Sequence, residues 1–172
     1  MLQHLITSKT RLRLLVKFFV YEGTEAYLRE LAKEFGDSTN AVRVELNRLT
    51  DCGLLTRSEE GNRKFYQANP EHPFYADVQY IVRRYIGWFE FEQVYKYQKE
   101  HIQSIYLREK EDERDTYEYV ITQKSGDGHI DLDMAEAVGI PIVLEDNVEE
   151  TRDPHTPCFL IWMNEQQDTV PC

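Results

Sequence analysis

The stretch YLRELAKEFGDSTNAVRVELNRLTDCGLL, Tyr27 to Leu55, decides how this chain folds. Two helical patterns flank one short stop. Tyr27 to Phe35 places Leu28, Leu31 and Ala32 at helical spacing and ends at Gly36, a residue suited to the left-handed position after a helix. Gly36-Asp37-Ser38 then forms a tight turn, with Ser38 as the cap of the next helix. That helix is expected to run over 39–52 and to end at Gly53. At about 100° per residue, Val42, Leu46, Leu49 and Gly53 fall in one sector, which must face a core. Asn40, Arg43, Val44 and Asn47 fall opposite it, and Arg48 lies on the flank.

Working outward, Ser8 can cap an earlier helix that reaches Val20. Leu12, Leu15, Val16 and Phe19 share one face of it, while Leu14 and Phe18 lie on the other. This helix needs two buried faces. Downstream the period changes: Leu54 to Ser58 and Arg63 to Gln67 are strand-like and flank Glu59-Glu60-Gly61-Asn62, a hairpin turn. Pro70 and Pro73 mark a loop. A long aromatic helix from about residue 73 carries Phe74, Val78, Ile81, Tyr85 and Trp88, with Gly87 as a break or a close-packing point. Phe89 to Tyr97 alternates like a strand, but its Glu, Gln and Lys content assigns it to a helix. Beyond it, short strands are expected at Ile102–Leu107, Tyr117–Thr122, Ile130–Leu132, Ile140–Leu144 and Cys158–Met163, with a short helix at Met134–Val138. Arg108–Asp115 and Glu145–Pro157 are expected to be solvated connections.

Helix, helix, tight turn, helix, hairpin is the order of a winged helix-turn-helix, so the fold class expected is α+β. The outward face of the 39–52 helix suits a DNA major groove. Arg pairs with guanine, Asn with adenine, and an apolar side chain can touch a thymine methyl. Thr39, Asn40, Arg43, Val44 and Asn47 are therefore the candidate base readers. Ser38 and Arg48 would meet the backbone together with Arg57, Asn62, Arg63 and Lys64 of a wing over 55–67. An ordinary solvated helix face and a solubilising hairpin are the competing explanations.

The same residues, continued by EGNRKFYQANPEHPFY, resemble the winged-helix transcriptional regulators of the ArsR-like group over about Leu5 to Gly87. The resemblance implies a dimeric DNA-binding module with the third helix as reader and the hairpin as wing. Metal-sensing members of that group pair cysteines near the DNA-binding helices. Here Cys52 stands alone, so metal sensing is not implied, and no cofactor is expected.

At 172 residues with 41% hydrophobic and 12% aromatic content, the chain can bury a real core. No run of eighteen apolar residues offers a membrane span, and no secretory cleavage site follows the N-terminus. Cys52, Cys158 and Cys172 form no metal-binding or disulfide pattern, which points to a reduced cytoplasm. The net charge of −11 is unevenly divided. Residues 1–87 hold 13 Lys+Arg and 11 Asp+Glu, a balance of +2; residues 88–172 hold 7 and 20, a balance of −13. Two parts are implied: 1–87, a winged helix with its linking helix, and 88–172, an acidic α+β part for assembly or sensing. If that acidic part is only soluble bulk, a chain ending near Gly87 should bind DNA almost unchanged.

The second half offers only weak constellations. His129, Asp131 and Asp133 would share one face of a strand and could hold a divalent metal, although an edge strand with a solvated polar face is the plainer account. That strand is also faintly similar to one in nucleotidyltransferase-like domains, but the Gly-Ser phosphate loop such domains need is missing. His155 and Cys158 are two ligands short of a zinc site. No catalytic set emerges, and the chain is not expected to be an enzyme. The expected function is a sequence-specific transcriptional regulator that binds double-stranded DNA as a homodimer, with Leu14, Phe18, Phe74, Val78, Ile81 and Tyr85 at the dimer surface. A degenerate nucleotidyltransferase-like enzyme and a protein-interaction module are the alternatives.

Overall fold

The computed structural model describes residues 5–110, 117–124, 130–133, 139, 141–146 and 156–163. Among these the architecture is α+β, with five α-helices and two sheets. The first half runs α1 (Lys9–Phe19), β1 (Glu25–Tyr27), α2 (Leu28–Phe35), α3 (Thr39–Asp51), β2 (Leu55–Glu60) and β3 (Arg63–Ala68). The second runs α4 (Tyr75–Tyr85), α5 (Trp88–Gln98), β4 (Ile102–Glu109), β5 (Tyr117–Gln123), β6 (Ile142–Leu144) and β7 (Cys158–Met163).

The helix starts follow from capping chemistry. Ser8 accepts a hydrogen bond from Arg11 N–H, and Ser38 accepts one from Ala41 N–H, each 3.2 Å long. At the end of α2, Gly36 adopts φ 65°, Asp37 N–H reaches back to Ala32 O and Gly36 N–H to Lys33 O. This paired stop satisfies two carbonyls that the helix would otherwise leave open. It fixes the turn between α2 and α3.

The wing hairpin belongs to a three-stranded antiparallel sheet in the order β1-β3-β2. Strand β1 is an addition to the sequence reading, which began α2 at Tyr27. Glu25, Ala26 and Tyr27 instead pair with Gln67, Tyr66 and Phe65. Three residues are too few for a period to register, and the pairing partner lies some forty residues away.

The aromatic stretch is two helices rather than one. Gly87, at φ 72°, both ends α4 and starts α5, so the glycine of the sequence pattern is a break. The second sheet follows, in the order β6-β5-β4-β7, antiparallel except for the parallel pair β5–β6. The expected strand at Ile130–Leu132 is absent: these residues have no regular structure, and Gln98 holds Asp131 by both its backbone N–H and its C=O. Gln98 thereby takes up both backbone groups of the central residue of that expected strand. The expected helix at Met134–Val138 lies outside the described residues, as does most of the connection Glu145–Pro157.

One hydrophobic cluster runs through both halves. It joins Leu14, Phe18, Leu31, Val42 and Leu46 to Trp88, Phe91, Ile105, Tyr119 and Ile161. Helix α1 is its axis: every residue from Leu12 to Phe19 is buried. It touches α3 and α4, and also β7 of the second sheet. The two buried faces expected of this helix are therefore both covered within a single chain. Among the described residues, no helix is long and apolar enough to cross a membrane.

Candidate nucleic-acid interface

Helix α3 is built as its period demands. Val42, Leu46 and Leu49 are buried, whereas Thr39, Asn40, Arg43, Val44, Asn47 and Arg48 are exposed. Val44 keeps 40% of its surface in water. Arg43 has no hydrogen bond or ion pair with another described residue. Its guanidinium stands ready for an external acceptor.

Arg48 differs. Its Nη1 lies 2.9 Å from Glu45 Oε1, while Arg11 Nε on α1 donates to Glu45 Oε2 at 2.8 Å. Glu45 is buried between the two cations. Burial pushes its carboxyl up, but hydrogen bonds from Arg11 and Ser8 and the charges of Arg11 and Arg48 outweigh that and hold it below its ordinary value. Arg48 thus already has an acidic partner within the protein, although its side chain remains exposed. Sequence reasoning missed Glu45, although its spacing of three from Arg48 on one helix was a readable signal.

The turn before α3 is held from below. Arg13 Nη1 donates to Phe35 O and to Asp37 Oδ1, at 3.2 and 3.1 Å, and Thr10 Oγ1 donates to Asp37 Oδ2 at 2.8 Å. Ser38, at the exposed start of α3, is therefore presented by a turn anchored on α1.

The wing divides its cations between two faces. Register pairs Arg57 with Tyr66 and Glu59 with Lys64, so Arg57, Glu59 and Lys64 share one side of the hairpin. Arg57 and Lys64 each lie 3.6 Å from Glu59, with all three side chains well exposed. Such contacts are worth little and yield readily to a competing phosphate. Arg63 lies on the other side, its guanidinium 5.5 Å from the centre of the Tyr27 ring. Asn62 is exposed at the tip beside Gly61.

The expected dimer residues separate. Leu14 and Phe18 are fully buried inside their own chain and cannot form an external face. Both belong to the one hydrophobic cluster that α1 forms with elements of both halves of the chain. Tyr85 is half-buried and meets Tyr117 edge-on at 5.9 Å, and Val78 packs against the core. Phe74 and Ile81 remain exposed, at 63% and 48%.

His129 and His155 lie outside the described residues. Asp131 and Asp133 are both exposed, and Asp131 Oδ1 accepts from Asp133 N–H in a local turn. Without a strand they do not share a face, so the metal arrangement expected from alternation is not formed by them. Among the described residues, no three His, Cys, Asp or Glu side chains cluster to hold a metal ion. Cys158 is buried at the start of β7.

Residues 12–69 match a protein-family model described as PaaX-like protein. The matched stretch runs from α1 to the turn after the wing and stops before α4. A crystal structure titled as that of a possible transcriptional regulator for arsenical resistance is similar at 21% identity, with a TM-score of 0.33. That match covers 57% of this chain and 94% of the other. At that TM-score the fold of this chain rests on its own geometry. No curated protein matches the chain.

Proposed function

We propose that this chain is a sequence-specific, DNA-binding transcriptional regulator that acts as a homodimer, with α3 in the major groove and the wing along the backbone. One observation carries the reading. The exposed face of α3 presents Thr39, Asn40, Arg43, Val44 and Asn47 as a contiguous set, on a helix whose other face is locked into the core. The family match supports it: PaaX-like proteins are winged-helix transcriptional regulators, and the match spans the helix-turn-helix and the wing. The resemblance to ArsR-like regulators is a finer form of the same reading.

Arg43 with Asn40 and Asn47 would read base edges; Ser38, Arg57, Asn62, Arg63 and Lys64 would hold phosphates, with Arg48 in a lesser part because Glu45 competes for it. Phe74 and Ile81 on α4 supply the apolar surface for pairing two copies. Residues 88–172, at −13, would turn away from the DNA and serve assembly or sensing. No catalytic role is proposed for any residue.

Selection of duplexes from a random pool by the full chain tests this reading. The expected product is an inverted repeat whose half-sites lie about one helical turn, 34–36 Å, apart. Recovery of unrelated sequences would overturn sequence-specific reading. A single, unrepeated site would overturn the homodimer.

A further inference from the structure

Two cations of α1 are buried, and each joins the DNA-reading elements to the second sheet. Arg13 Nε donates to Glu109 Oε1 at 2.6 Å and Nη2 to Glu109 Oε2 at 2.9 Å, a two-pronged grip on the end of β4. The remaining arm of the same guanidinium holds Phe35 O and Asp37, in the turn before α3. One helical turn on, Lys17 Nζ bonds Glu34 Oε1 of α2 at 3.1 Å and Leu160 O of β7 at 2.8 Å. The side chains of Arg13 and Lys17 are only 9% and 6% exposed. Glu109 is itself anchored, its N–H bonded to Pro157 O.

We propose that this pair forms a clamp through which the second sheet holds the helix-turn-helix in its reading geometry, so that drawing β4 and β7 away from α1 loosens the turn and weakens DNA binding. The DNA arm of this inference rests on the function proposed above; the clamp itself does not. The physical argument is shared occupancy. Burial alone would lower the pKa of Arg13, but Glu109 and Asp37 more than offset it, so the guanidinium stays charged. A buried cation that loses one carboxylate cannot be rehydrated in place. It must move toward water or toward its other partner, and that partner is the turn that aims α3. Lys17 repeats the logic one turn away, with a strand carbonyl on one side and α2 on the other. Displacement of the sheet is thereby felt twice at the C-terminal end of α2, at Glu34 and at Phe35–Asp37. This is a two-site coupling through packed polar contacts, not through distance alone.

The test uses the full chain and amide hydrogen exchange. Asp37 N–H, bonded to Ala32 O, and Val42 N–H, bonded to Ser38 O, report the turn; Ile86 N–H, bonded to Val82 O, reports a site outside it. Glu109→Gln keeps size and shape while removing the charge. Exchange at Asp37 and Val42 should rise at least about tenfold relative to Ile86. Arg13→Gln, which also releases Phe35 O and Asp37, should raise exchange at least as much, and the double variant should add nothing beyond Arg13→Gln, because Glu109 acts on the turn through Arg13. Lys17→Met provides a second route that leaves Arg13 and Glu109 intact, and should loosen the amides of α2. Unchanged exchange in Glu109→Gln overturns the clamp. Where the wild-type chain selects a duplex, Glu109→Gln should bind it several-fold more weakly; raised exchange with unaltered affinity overturns the coupling. If the wild type selects no duplex, the functional reading fails while the exchange data still decide the clamp.

Discussion

Tyr119 Oη donates to Ile86 O at 3.0 Å, tying the middle of β5 to the residue before the Gly87 break. The same ring lies flat on Phe91 of α5, with centroids 3.9 Å apart and planes 3° from parallel. One tyrosine thus fixes both the end of α4 and the first turns of α5. Burial, helped by the nearby charge of Glu90, pushes its hydroxyl pKa well above the ordinary value, so it remains a donor at any workable pH.

Tyr119→Phe keeps the stacked ring and removes only the bond, leaving the Ile86 carbonyl without this donor. The expected cost is about 1–2 kcal/mol in urea unfolding. Tyr119→Ala removes the ring as well and should cost about 3–5 kcal/mol. Equal losses for the two variants would show that the hydroxyl, not the ring, sets the bend.

A chain ending at Gly87 should not behave as an independent domain. It would remove Phe91, Ile105, Tyr119 and Ile161 from the cluster that also holds Leu14 and Phe18, and would strip Arg13 and Lys17 of their sheet partners. The expectation that such a fragment would bind DNA almost unchanged holds only if residues 88–172 are soluble bulk and the fragment still pairs, and the same fragment tests it. Circular dichroism should find no cooperative thermal transition near that of the full chain. A sharp transition at the same temperature would contradict the shared core.

Arg43→Ala should cost about 1–3 kcal/mol on the best duplex and relax preference at one base position. Lys64→Ala should weaken all duplexes alike and reduce the magnitude of the salt slope by about one. Quantitative binding across a panel of duplexes at several salt concentrations separates the two. A uniform loss for Arg43→Ala would move it from base reader to backbone contact.

Glu45 gives the fold a defined acid sensitivity. Its folded pKa lies below the ordinary 4.5, so the unfolded chain takes up the proton first as pH falls. The stability it contributes is complete above pH 4.5 and is lost as the pH drops through the lower folded value. In Glu45→Gln that part of the acid dependence should vanish, and denaturant midpoints measured from pH 6 downward should fall less steeply than in the wild type. An identical slope would mean that the Arg11 and Arg48 contacts do not favour the charged form.

Much of the first half is determined by local pattern. The period of α3 separates Val42, Leu46 and Leu49 from Asn40, Arg43 and Asn47, because a helix has only one way to turn that spacing toward a core. Ser8, Ser38, Gly36 and Gly87 mark where helices begin and end, because caps are chemistry between residues a few positions apart. The doubly apolar α1 was legible as well, but not what covers it. Phe18 looks the same whether a second copy or a distant strand of the same chain lies against it. Only the tertiary structure buried it within its own chain. It also decided the fate of Arg13 and Lys17, which a sequence assigns to the surface because lone buried cations are costly. Their partners, Glu109 and Leu160, lie 96 and 143 positions along the chain, and such contacts form only after both halves have folded against α1.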